Sequence, residues 1–512
     1  MPSRELPSRP HIDHLKNEAK ALRNAFLRGE PDAVERVRAV LGPRTDLKLT
    51  EAQRVIAREY GFASWAKLSS HVQASRGLDD AVAAFLAAVE ADDASRALEV
   101  LRTEPRLPAS SLHVAAVLGL DAEVRRLLAV DPTLVRSRAG ERPAEPLLWV
   151  CFSPFHGESR ERDDGLAARA RALLDAGADP NTRDARYGLP ALYAVTGHRN
   201  VPRIARMLLE AGAEPTDGES VFHAAERYHV EALELLHEFG VDLNHTGEWG
   251  NTPLYFLLEH YDVELNARVR QGMLWLLEHG ADPNVPCGRE QETALHVAVR
   301  RGQGADIVRL LLDHGADVHA RRADGRTAWI LAERGGFDEL KALLEEAGAV
   351  PEPLAAEDLL LAACGRGDED AARRLASPDL VAALESSASR TMIEAARKGR
   401  LDVVRAYLAA GFPVGVQDEN GATPLHHACI AGQAAVVREL ITRGAELELQ
   451  DREHQGTPVD WACFGADHDP APDGDYADCV RALLEAGARP RPPEWWPQHA
   501  GIREVFERHA RA

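Results

Sequence analysis

The stretch Ala422-Thr423-Pro424-Leu425-His426-His427-Ala428-Cys429 decides the fold of this chain. The same phrase returns in related form at Thr457-Pro458-Val459-Asp460-Trp461-Ala462, which is 34 positions further on (457 − 423), and at Glu292-Thr293-Ala294-Leu295-His296-Val297-Ala298. Each copy is followed by an apolar stretch and a glycine, as in Arg443-Gly444-Ala445-Glu446. A fixed period of roughly 33 residues is typical of repeat proteins, in which each unit buries its apolar face only against its neighbours.

Each repeat can be read as a pair of helices. Thr-Pro opens the first helix, because threonine caps free N–H groups and proline suits the first helical turn. Leucine and small alanines at helical spacing then face the neighbouring unit, and a Val-x-x-Leu-Leu stripe forms the second helix. The second helix ends at a glycine, which takes the left-handed C-terminal position. These glycines are Gly212, Gly280, Gly315, Gly444 and Gly487.

The T-P-L-H-x-A phrase with a later Leu-Leu-x-x-Gly-Ala-Asp resembles the ankyrin repeat. This resemblance implies an all-α fold, an ankyrin-repeat solenoid with short hairpin fingers, preceded here by a small N-terminal helical region. Roughly ten to twelve units fit. They are expected to begin near Asp80, Ser111, Glu145, Leu189, Ser220, Asn251, Glu292, Arg326, Glu357, Arg390, Ala422 and Thr457.

The sequence also suggests how the chain is divided. We expect a disordered N-terminus over 1–10, an N-terminal helical module over 11–78, a first ankyrin stack over 79–350, and a second stack with a C-terminal cap helix over 351–512. The breaker Val350-Pro351-Glu352-Pro353 and the atypical unit that follows it suggest the second boundary. One unbroken superhelix fits the same residues equally well.

The N-terminal module carries helical stripes but no ankyrin phrase. Leu15, Ala19, Leu22 and Phe26 form one apolar stripe, and a third helix is expected at Leu49-Thr50-Glu51 with threonine as its cap. A helix-turn-helix is one interpretation, but residues 11–75 hold 11 Lys and Arg against 8 Asp and Glu, a net charge of only +3. DNA binding requires concentrated positive charge, so a helical cap or docking module is the favoured interpretation.

A closer resemblance covers most of the chain. The segment from His14 to Leu68, with HLKNEAKALRNAFLRGEP at its start and LTEAQRVIAREYGFASWAKL at its end, resembles the N-terminal helical region of large bacterial ankyrin-repeat proteins. Residues 145–153, 217–224 and 456–462 resemble the same family. The members have no assigned activity, so the resemblance implies neither catalytic residues nor a cofactor.

Composition restricts the possible partners. The 512 residues carry a formal net charge of −21, so the chain outside 11–75 carries −24, and nucleic acid or an anionic membrane is disfavoured as a partner. We find no apolar stretch of about 18 residues, and Met1-Pro2-Ser3-Arg4-Glu5 does not begin a signal peptide. We therefore expect a cytoplasmic monomer.

The cysteines and histidines fit the repeat better than they fit catalysis or metal binding. Cys151, Cys364, Cys429 and Cys463 fall in the buried small-residue slot of their repeats, whereas Cys287 and Cys479 fall outside it. No C-x-x-C pair exists. The histidines of the T-P-L-H slot are expected to tie adjacent turns together, and they are His113, His223, His296 and His426. The acidic segment Asp467-His468-Asp469 lacks the spacing of a calcium loop, so no metal site is predicted.

Two functional hypotheses remain. The first is a protein-binding scaffold or adaptor whose concave face, built from fingers and first helices, binds a protein with a basic or mixed surface. Its candidate contact residues are Trp149, His156, Trp249, His427, Trp461 and His468, of which the three tryptophans and His427 are expected to be exposed. The alternative is an enzyme or small-ligand binder that uses the insertions between helices, 152–165, 259–271 and 465–475.

Overall fold

The computed structural model of this chain describes Arg4, Leu6 and residues 11–141, 143–247, 249–261, 263, 266–468 and 470–511. It contains two compact units, one formed by Met1–Ala224 with His229–Val241 and the other by Ala225–Tyr228 with Asp242–Ala512. The predicted disordered segment 1–10 lies outside the described residues except for Arg4 and Leu6. The predicted boundary near residue 350 stays a prediction.

The N-terminal module is helical, as its stripes predict. Leu15, Ala19, Leu22 and Phe26 are all buried in one small core. The third helix begins one residue before Thr50, and the Glu51 carboxylate accepts from the Lys48 N–H at 2.8 Å, so the prediction that Thr50 caps it was wrong. The helices are α1 (Ile12–Leu27), α2 (Pro31–Leu41), α3 (Leu49–Glu59) and α4 (Trp65–Glu90).

The rest of the first unit consists of helix pairs stacked in chain order. Helix α4 runs through the predicted module boundary at 78 and supplies the first helix of the first pair. The remaining helices are α5 (Ala94–Thr103), α6 (Leu107–Ser110), α7 (Leu112–Val117), α8 (Asp121–Val130), α9 (Pro146–Cys151), α10 (Arg160–Asp175), α11 (Ala191–Tyr193), α12 (Pro202–Glu210), α13 (Ser220–Arg227, shared between the units) and α14 (Val230–Glu238). A 3-10 turn covers Pro132–Arg136, and a π-helical turn, Ala194–His198, follows α11 directly.

The second unit repeats the same pattern. First helices pack on first helices in sequence, and α19 packs on α21 across the breaker at 350–353. The helices are α15 (Pro253–His260), α16 (Ala267–Glu278), α17 (Ala294–Arg300), α18 (Ala305–Asp313), α19 (Ala328–Gly335), α20 (Asp338–Glu346), α21 (Ala356–Gly365), α22 (Glu369–Leu375), α23 (Pro378–Arg397), α24 (Leu401–Ala410), α25 (Pro424–Ile430), α26 (Ala434–Thr442), α27 (Pro458–His468), α28 (Tyr476–Glu485) and α29 (Ala500–Arg511), with a 3-10 turn at Pro493–Trp495.

The fingers between pairs are short and barely paired. Within the described ranges the only β-pairing consists of three isolated antiparallel bridges, Ala139 with Ala144, Arg183 with Pro190 and Cys287 with Glu292. The all-α prediction with short hairpin fingers is therefore confirmed. We call the surface formed by first helices and fingers the inner face of each unit.

One first helix is much longer than its repeat predicts. A unit is expected to begin near Arg390, but α23 begins at Pro378 and has 20 residues. The Ser377 hydroxyl accepts from the Leu380 N–H at 3.3 Å, and Pro378 occupies the first helical position. A serine cap followed by proline is a strong helix start, and nothing between the cap and the repeat breaks the helix.

Three of the four histidines of the repeat phrase, His113, His296 and His426, fasten adjacent repeats as predicted, whereas His223 Nε2 lies 3.5 Å from a Glu219 carboxylate oxygen just before its own helix. His426 Nδ1 accepts from the Thr423 N–H at 3.1 Å, and its Nε2 lies 3.0 Å from the Leu449 carbonyl oxygen in the following finger. His296 repeats this arrangement with Thr293 and the Ala320 carbonyl. Each of these two imidazoles therefore joins a helix start to the next finger, which is a structural role.

The three insertions are partly helical, where loops are expected. Residues 160–165 open α10, residues 267–271 open α16, and residues 465–468 extend α27. Asp262, Glu264, Leu265 and Asp469 lie outside the described residues. Among the helices that the structure describes, none combines the length and apolar content needed to cross a membrane.

Candidate functional site

Two of the predicted contact residues meet on the inner face of the second unit. His427 lies on α25 and Trp461 on α27, and their ring centroids are 5.3 Å apart in an edge-on arrangement. The indole also lies edge-on to His426, 5.4 Å away. Trp461 is partly buried and packs against the core of the unit, so one side of its ring is held by the repeat below it.

Carboxylates of the two preceding fingers fix these rings. His427 Nε2 donates to Asp418 at 2.9 Å, and Trp461 Nε1 donates to Asp451 at 3.0 Å. Burial alone would raise the pKa of Asp418, but hydrogen bonds from His427 and from backbone amides lower that pKa below its usual value. Burial also opposes ionisation of Asp451, but donation by backbone amides and the indole outweighs it and lowers the pKa to about 2. Both carboxylates are therefore ionised at neutral pH and hold the rings in place.

One turn further along α27 a second pair of rings faces solvent. Phe464 and His468 stack with centroids 4.2 Å apart and planes 11° from parallel. Phe464 is 55% exposed, and His468 Nδ1 lies 3.1 Å from the Phe464 carbonyl oxygen. Since residues three apart share one face of a helix, Phe464 continues the surface of Trp461. We call His427, Trp461, Phe464 and His468 the C-terminal aromatic surface.

Phe464 was not among the predicted contact residues. Its position three residues after Trp461 on a predicted first helix is the signal that could have identified it. His468, which was predicted on other grounds, belongs to the same surface because α27 continues to that residue.

Trp149 is placed differently from Trp461, although both follow the same repeat phrase. Only 4% of Trp149 is exposed, and its Nε1–H donates to the Ala144 carbonyl oxygen at 3.1 Å. The expectation that this ring is exposed was therefore wrong. The finger before α9 turns tightly over the indole, and a Cβ at Gly140 would come within 2.5 Å of the ring.

His156 and Trp249 are not part of the C-terminal aromatic surface. His156 Nε2 lies 2.9 Å from the Val150 carbonyl oxygen, and burial lowers the pKa of its imidazole, so it fastens the insertion to α9. Trp249 stands on the finger before α15 with 76% of its surface exposed. The neighbouring Gly250 carbonyl accepts from the Gly288 N–H at 3.1 Å, which ties this finger to the next. Partner binding by either residue stays a prediction.

A pocket of about 250 Å³ opens on the inner face of the first unit. Its floor is apolar and includes Val89, Leu148 and the indole of Trp149. Its side wall contains three rings, Phe152, Tyr193 and His198. We call this cavity the aromatic pocket.

The three wall rings form a triangle. Phe152 lies 6.2 Å from Tyr193 and 5.8 Å from His198, and Tyr193 lies 6.4 Å from His198, measured between centroids. His198 ends the π-helical turn that follows α11. Such turns are rare and are often found at functional sites, because the extra residue redirects the side chains that follow.

Two residues of inter-helix turns line the pocket and form an ion pair. The Arg199 guanidinium contacts the Asp92 carboxylate, although Asp92 belongs to the first helix pair and Arg199 to the fourth. The carboxylates of Glu90 and Asp184 also line the cavity. Asp184 sits in the finger before α11, where it accepts from the N–H groups of Arg186, Tyr187 and Leu189.

The thiols are buried and unreactive. All six cysteines are free and buried, including Cys287 and Cys479, which were not assigned to the small-residue slot. Burial raises the pKa of the thiols of Cys364, Cys463 and Cys479 to about 12. A thiol with such a pKa carries almost no nucleophilic thiolate at neutral pH.

The acidic segment at the end of α27 and beyond it is used in capping. Asp467 accepts from the N–H groups of Gln498 and His499 at 2.8 and 3.0 Å, and Asp475 accepts from the Asp478 N–H at 2.9 Å. Among the described residues, no cluster of three or more His, Cys, Asp or Glu side chains has an arrangement that could hold a metal ion.

Comparison with known proteins identifies the repeats. The model of a family described as ankyrin repeats (3 copies) matches residues 221–322, 260–353 and 392–493. Human ankyrin repeat and SOCS box protein 16 is 29% identical over 61% of this chain and 56% of its own length. Zebrafish ankyrin repeat and SOCS box protein 11 is 38% identical over 24% of this chain and 38% of its length, and the potassium channel AKT2/3 of Arabidopsis thaliana is 28% identical over 33% and 17%.

A solved structure gives the same kind of match. The crystal structure of the human ASB11 ankyrin repeat domain is 26% identical, covers 48% of this chain and the whole of that chain, and superposes with a TM-score of 0.35. The chain thus spans about half the length of the first of these curated relatives and less of the others.

Proposed function

We propose that this chain, which belongs to the ankyrin-repeat proteins, is a non-catalytic scaffold that binds a partner protein on its inner face. Ankyrin repeats generally mediate binding between proteins. The C-terminal aromatic surface is the proposed main contact, and the exposed Phe464–His468 stack is the observation that carries the proposal.

The arrangement suits an interface anchor. Aromatic side chains dominate binding energy when they are held rigidly and lose little freedom on association. Here Trp461 is fixed by Asp451 and His427 by Asp418, so the partner meets rings that are already ordered. Phe464 adds an exposed apolar surface, and a partner that buries this ring removes that surface from water.

Charge suggests the chemistry of the partner. The chain outside residues 11–75 has a net charge of −24, and Asp418 and Asp451 lie beside the aromatic rings. We expect a partner with a basic or mixed surface, and we expect association to weaken as salt is added, because screening shortens the range of electrostatic attraction.

The alternative, a site built from the insertions, is supported by no specific contact. Of the insertion 152–165, only Phe152 lines the aromatic pocket. The described residues of the other two insertions extend helices at 259–260, 267–271 and 465–468 and otherwise form short connections. A cytoplasmic location and a monomeric state are further parts of the proposal, and light scattering of the purified chain tests the second.

The experiment is affinity capture from native cell extract with the wild type and Phe464→Ala, followed by mass spectrometry. Val130→Ala is the control, because Val130 is an exposed apolar residue (77%, against 55% for Phe464) in the other unit. Proteins retained by the wild type and by Val130→Ala but lost with Phe464→Ala are the expected result. Capture of identical sets by all three proteins would contradict the proposed surface.

A further inference from the structure

The aromatic pocket has the size of a site for one side chain. Its volume is about 250 Å³, whereas sites for whole small molecules measure about 300–1,000 Å³. Its floor of Val89, Leu148 and Trp149 is buried and apolar, so it suits the methylene stem of a long side chain.

The walls suit a cation. Phe152, Tyr193 and His198 form one side of the cavity, with ring centroids 5.8–6.4 Å apart. The faces of phenyl and phenol rings attract ammonium and guanidinium groups. On the finger that forms the rim, the Arg186 guanidinium already lies over the Tyr187 ring at 5.0 Å, which is the same kind of contact.

The described charged residues that line the pocket are mostly acidic, which favours a cationic ligand. Among the described residues that line the cavity, Glu90, Asp92 and Asp184 are acidic and Arg199 is basic, so acidic residues outnumber basic ones apart from His198. An apolar floor with aromatic walls and a negative rim complements a long side chain that ends in a positive charge, and it disfavours an anionic or purely apolar one.

Asp92 stands at the turn after a first helix with φ of +57°. In six other repeats a glycine with positive φ occupies this turn: Gly119, Gly302, Gly336, Gly367, Gly399 and Gly432. Asn200 and Tyr228 take the same turn with positive φ in two further repeats, so the turn accepts a side chain. Asp92 differs from these two because it brings a carboxylate to the pocket, where it contacts Arg199.

We propose that the aromatic pocket receives the side chain of a lysine or arginine from a partner protein. The stem lies on Leu148 and Trp149, the charged end meets the faces of Phe152 and Tyr193, and Glu90 and Asp92 supply the opposing charge. Arg199 holds Asp92 when the pocket is empty and repels the incoming cation. The inference rests on the proposed protein-binding function, but it concerns the first unit, whereas that function is tested on the second.

The test uses small probes and does not require the partner. Saturation-transfer NMR on the full chain measures binding of Nα-acetyl-lysine methylamide and Nα-acetyl-arginine methylamide. The norleucine derivative has a similar stem without charge, and the glutamate derivative has the opposite charge. We expect saturation transfer to the side chains of the lysine and arginine probes and little transfer to the norleucine and glutamate probes. Equal binding of norleucine and lysine, or no binding of either cationic probe, would overturn the proposal.

Two substitutions with opposite expected effects on probe affinity make the test sharper. Glu90→Gln removes an attracting charge and should weaken the lysine probe by about threefold to fivefold, and Arg199→Gln removes a repelling charge and should strengthen it by a similar factor. Glu210→Gln, an exposed carboxylate on α12, is the control and should change nothing. Thermal melting checks that each variant is folded.

The proposal requires opposite changes in probe binding in the two variants. Weakening by Glu90→Gln with strengthening by Arg199→Gln supports a cation in the pocket. If both variants change binding in the same direction, or if Glu90→Gln has no more effect than Glu210→Gln, the probe binds elsewhere and the proposal fails. Asp92→Asn adds an independent arm, because it removes a second attracting carboxylate and should also weaken binding of the lysine probe.

Discussion

At the scale of single residues, identical repeat positions have different surroundings. Trp149 and Trp461 both follow the repeat phrase by the same spacing, but Trp149 is 4% exposed while Trp461 stands at the edge of an aromatic surface. The difference in exposure comes from the fingers, because the finger before α9 turns at Gly140 and covers the Trp149 indole. A side chain's role in a repeat protein therefore depends on the finger beside it as well as on its register.

The difference in burial between Trp149 and Phe464 predicts different effects on stability when each is truncated to alanine. Trp149→Ala should destabilise the first unit by about 3–5 kcal/mol, because it leaves a large cavity and removes the hydrogen bond to Ala144. Phe464→Ala should leave stability within about 0.5 kcal/mol, since more than half of that ring is already exposed. Urea unfolding followed by circular dichroism measures both. A stable Trp149→Ala protein would show that the indole is not part of the core.

A second residue-scale prediction concerns the buried thiols. Cys429 fills a slot where alanine is usual and is fully buried. Cys429→Ala should change stability by little more than about 1 kcal/mol, because it removes one small apolar atom group and no hydrogen-bonded partner. Partner binding should be retained, and loss of binding in a folded Cys429→Ala protein would reveal a function of this thiol.

At the scale of helices, close approach between first helices sets which positions tolerate a side chain. Gly465 of α27 lies against the end of α25, where a Cβ would stand 2.2 Å from the Ile430 carbonyl oxygen. A Cβ added at Gly77 of α4 would meet no atom within 4 Å. The two glycines are both helical, so they separate packing from helix propensity.

Alanine substitutions at these two glycines should have opposite signs. Gly77→Ala should stabilise the protein by up to about 1 kcal/mol, because alanine favours the helix. Gly465→Ala should destabilise it by about 1–3 kcal/mol, because the methyl group forces α27 away from α25. Thermal melting of both variants provides the measurement. Equal stabilisation by both substitutions would show that α27 and α25 are not in close contact.

At the scale of a whole unit, ion pairs join helix pairs that are not adjacent. In the first unit, Asp92 of the first pair meets Arg199 of the fourth. In the second, the Lys398 ammonium donates to the Arg301 carbonyl oxygen at 2.7 Å, and Arg301 lies 3.8 Å from Glu394. Arg301 follows α17 and Lys398 follows α23, so this contact also spans four pairs. Such contacts fix the curvature of each stack beyond what neighbouring repeats determine.

The pH dependence of stability should report the contact in the second unit. Burial raises the pKa of Glu394, but Arg397, Arg301 and Lys398 outweigh it and lower that pKa to about 2. A depressed carboxylate pKa stabilises the fold above the unfolded value of about 4.3, and this stability is lost as pH falls toward 2. The loss from this one group should reach about 3 kcal/mol.

Comparing urea midpoints at pH 6 and pH 3 for the wild type and Glu394→Gln tests this prediction. Glu394→Gln should lower the midpoint at pH 6 and should lose less stability than the wild type on acidification. Asp379→Asn, at an exposed position near the start of α23, is the matched control. Identical pH dependence in all three proteins would exclude Glu394 as a contributor.

Local sequence rules predicted the repeats well, because a repeat is fixed by short-range chemistry. Threonine caps, prolines in the first turn, glycines after the second helix and apolar stripes act within about one helical turn, so the starts of most pairs and the structural histidines could be read directly. The early start of α23 is also local, since Ser377-Pro378 encodes it, but the repeat period concealed that signal. His427 and Trp461 were selected by register and His468 from an insertion, and the structure places all three on α25 and α27.

Only the tertiary structure determined which residues meet across repeats. The aromatic pocket joins residues of the first, third and fourth helix pairs of its unit, and no local sequence pattern predicts that these residues meet. Burial of Trp149 depends on the path of a finger, and the Asp92–Arg199 pair depends on curvature accumulated over the intervening pairs. Helix caps and stripes determine each repeat, whereas the small rotation from one repeat to the next determines which distant side chains come together.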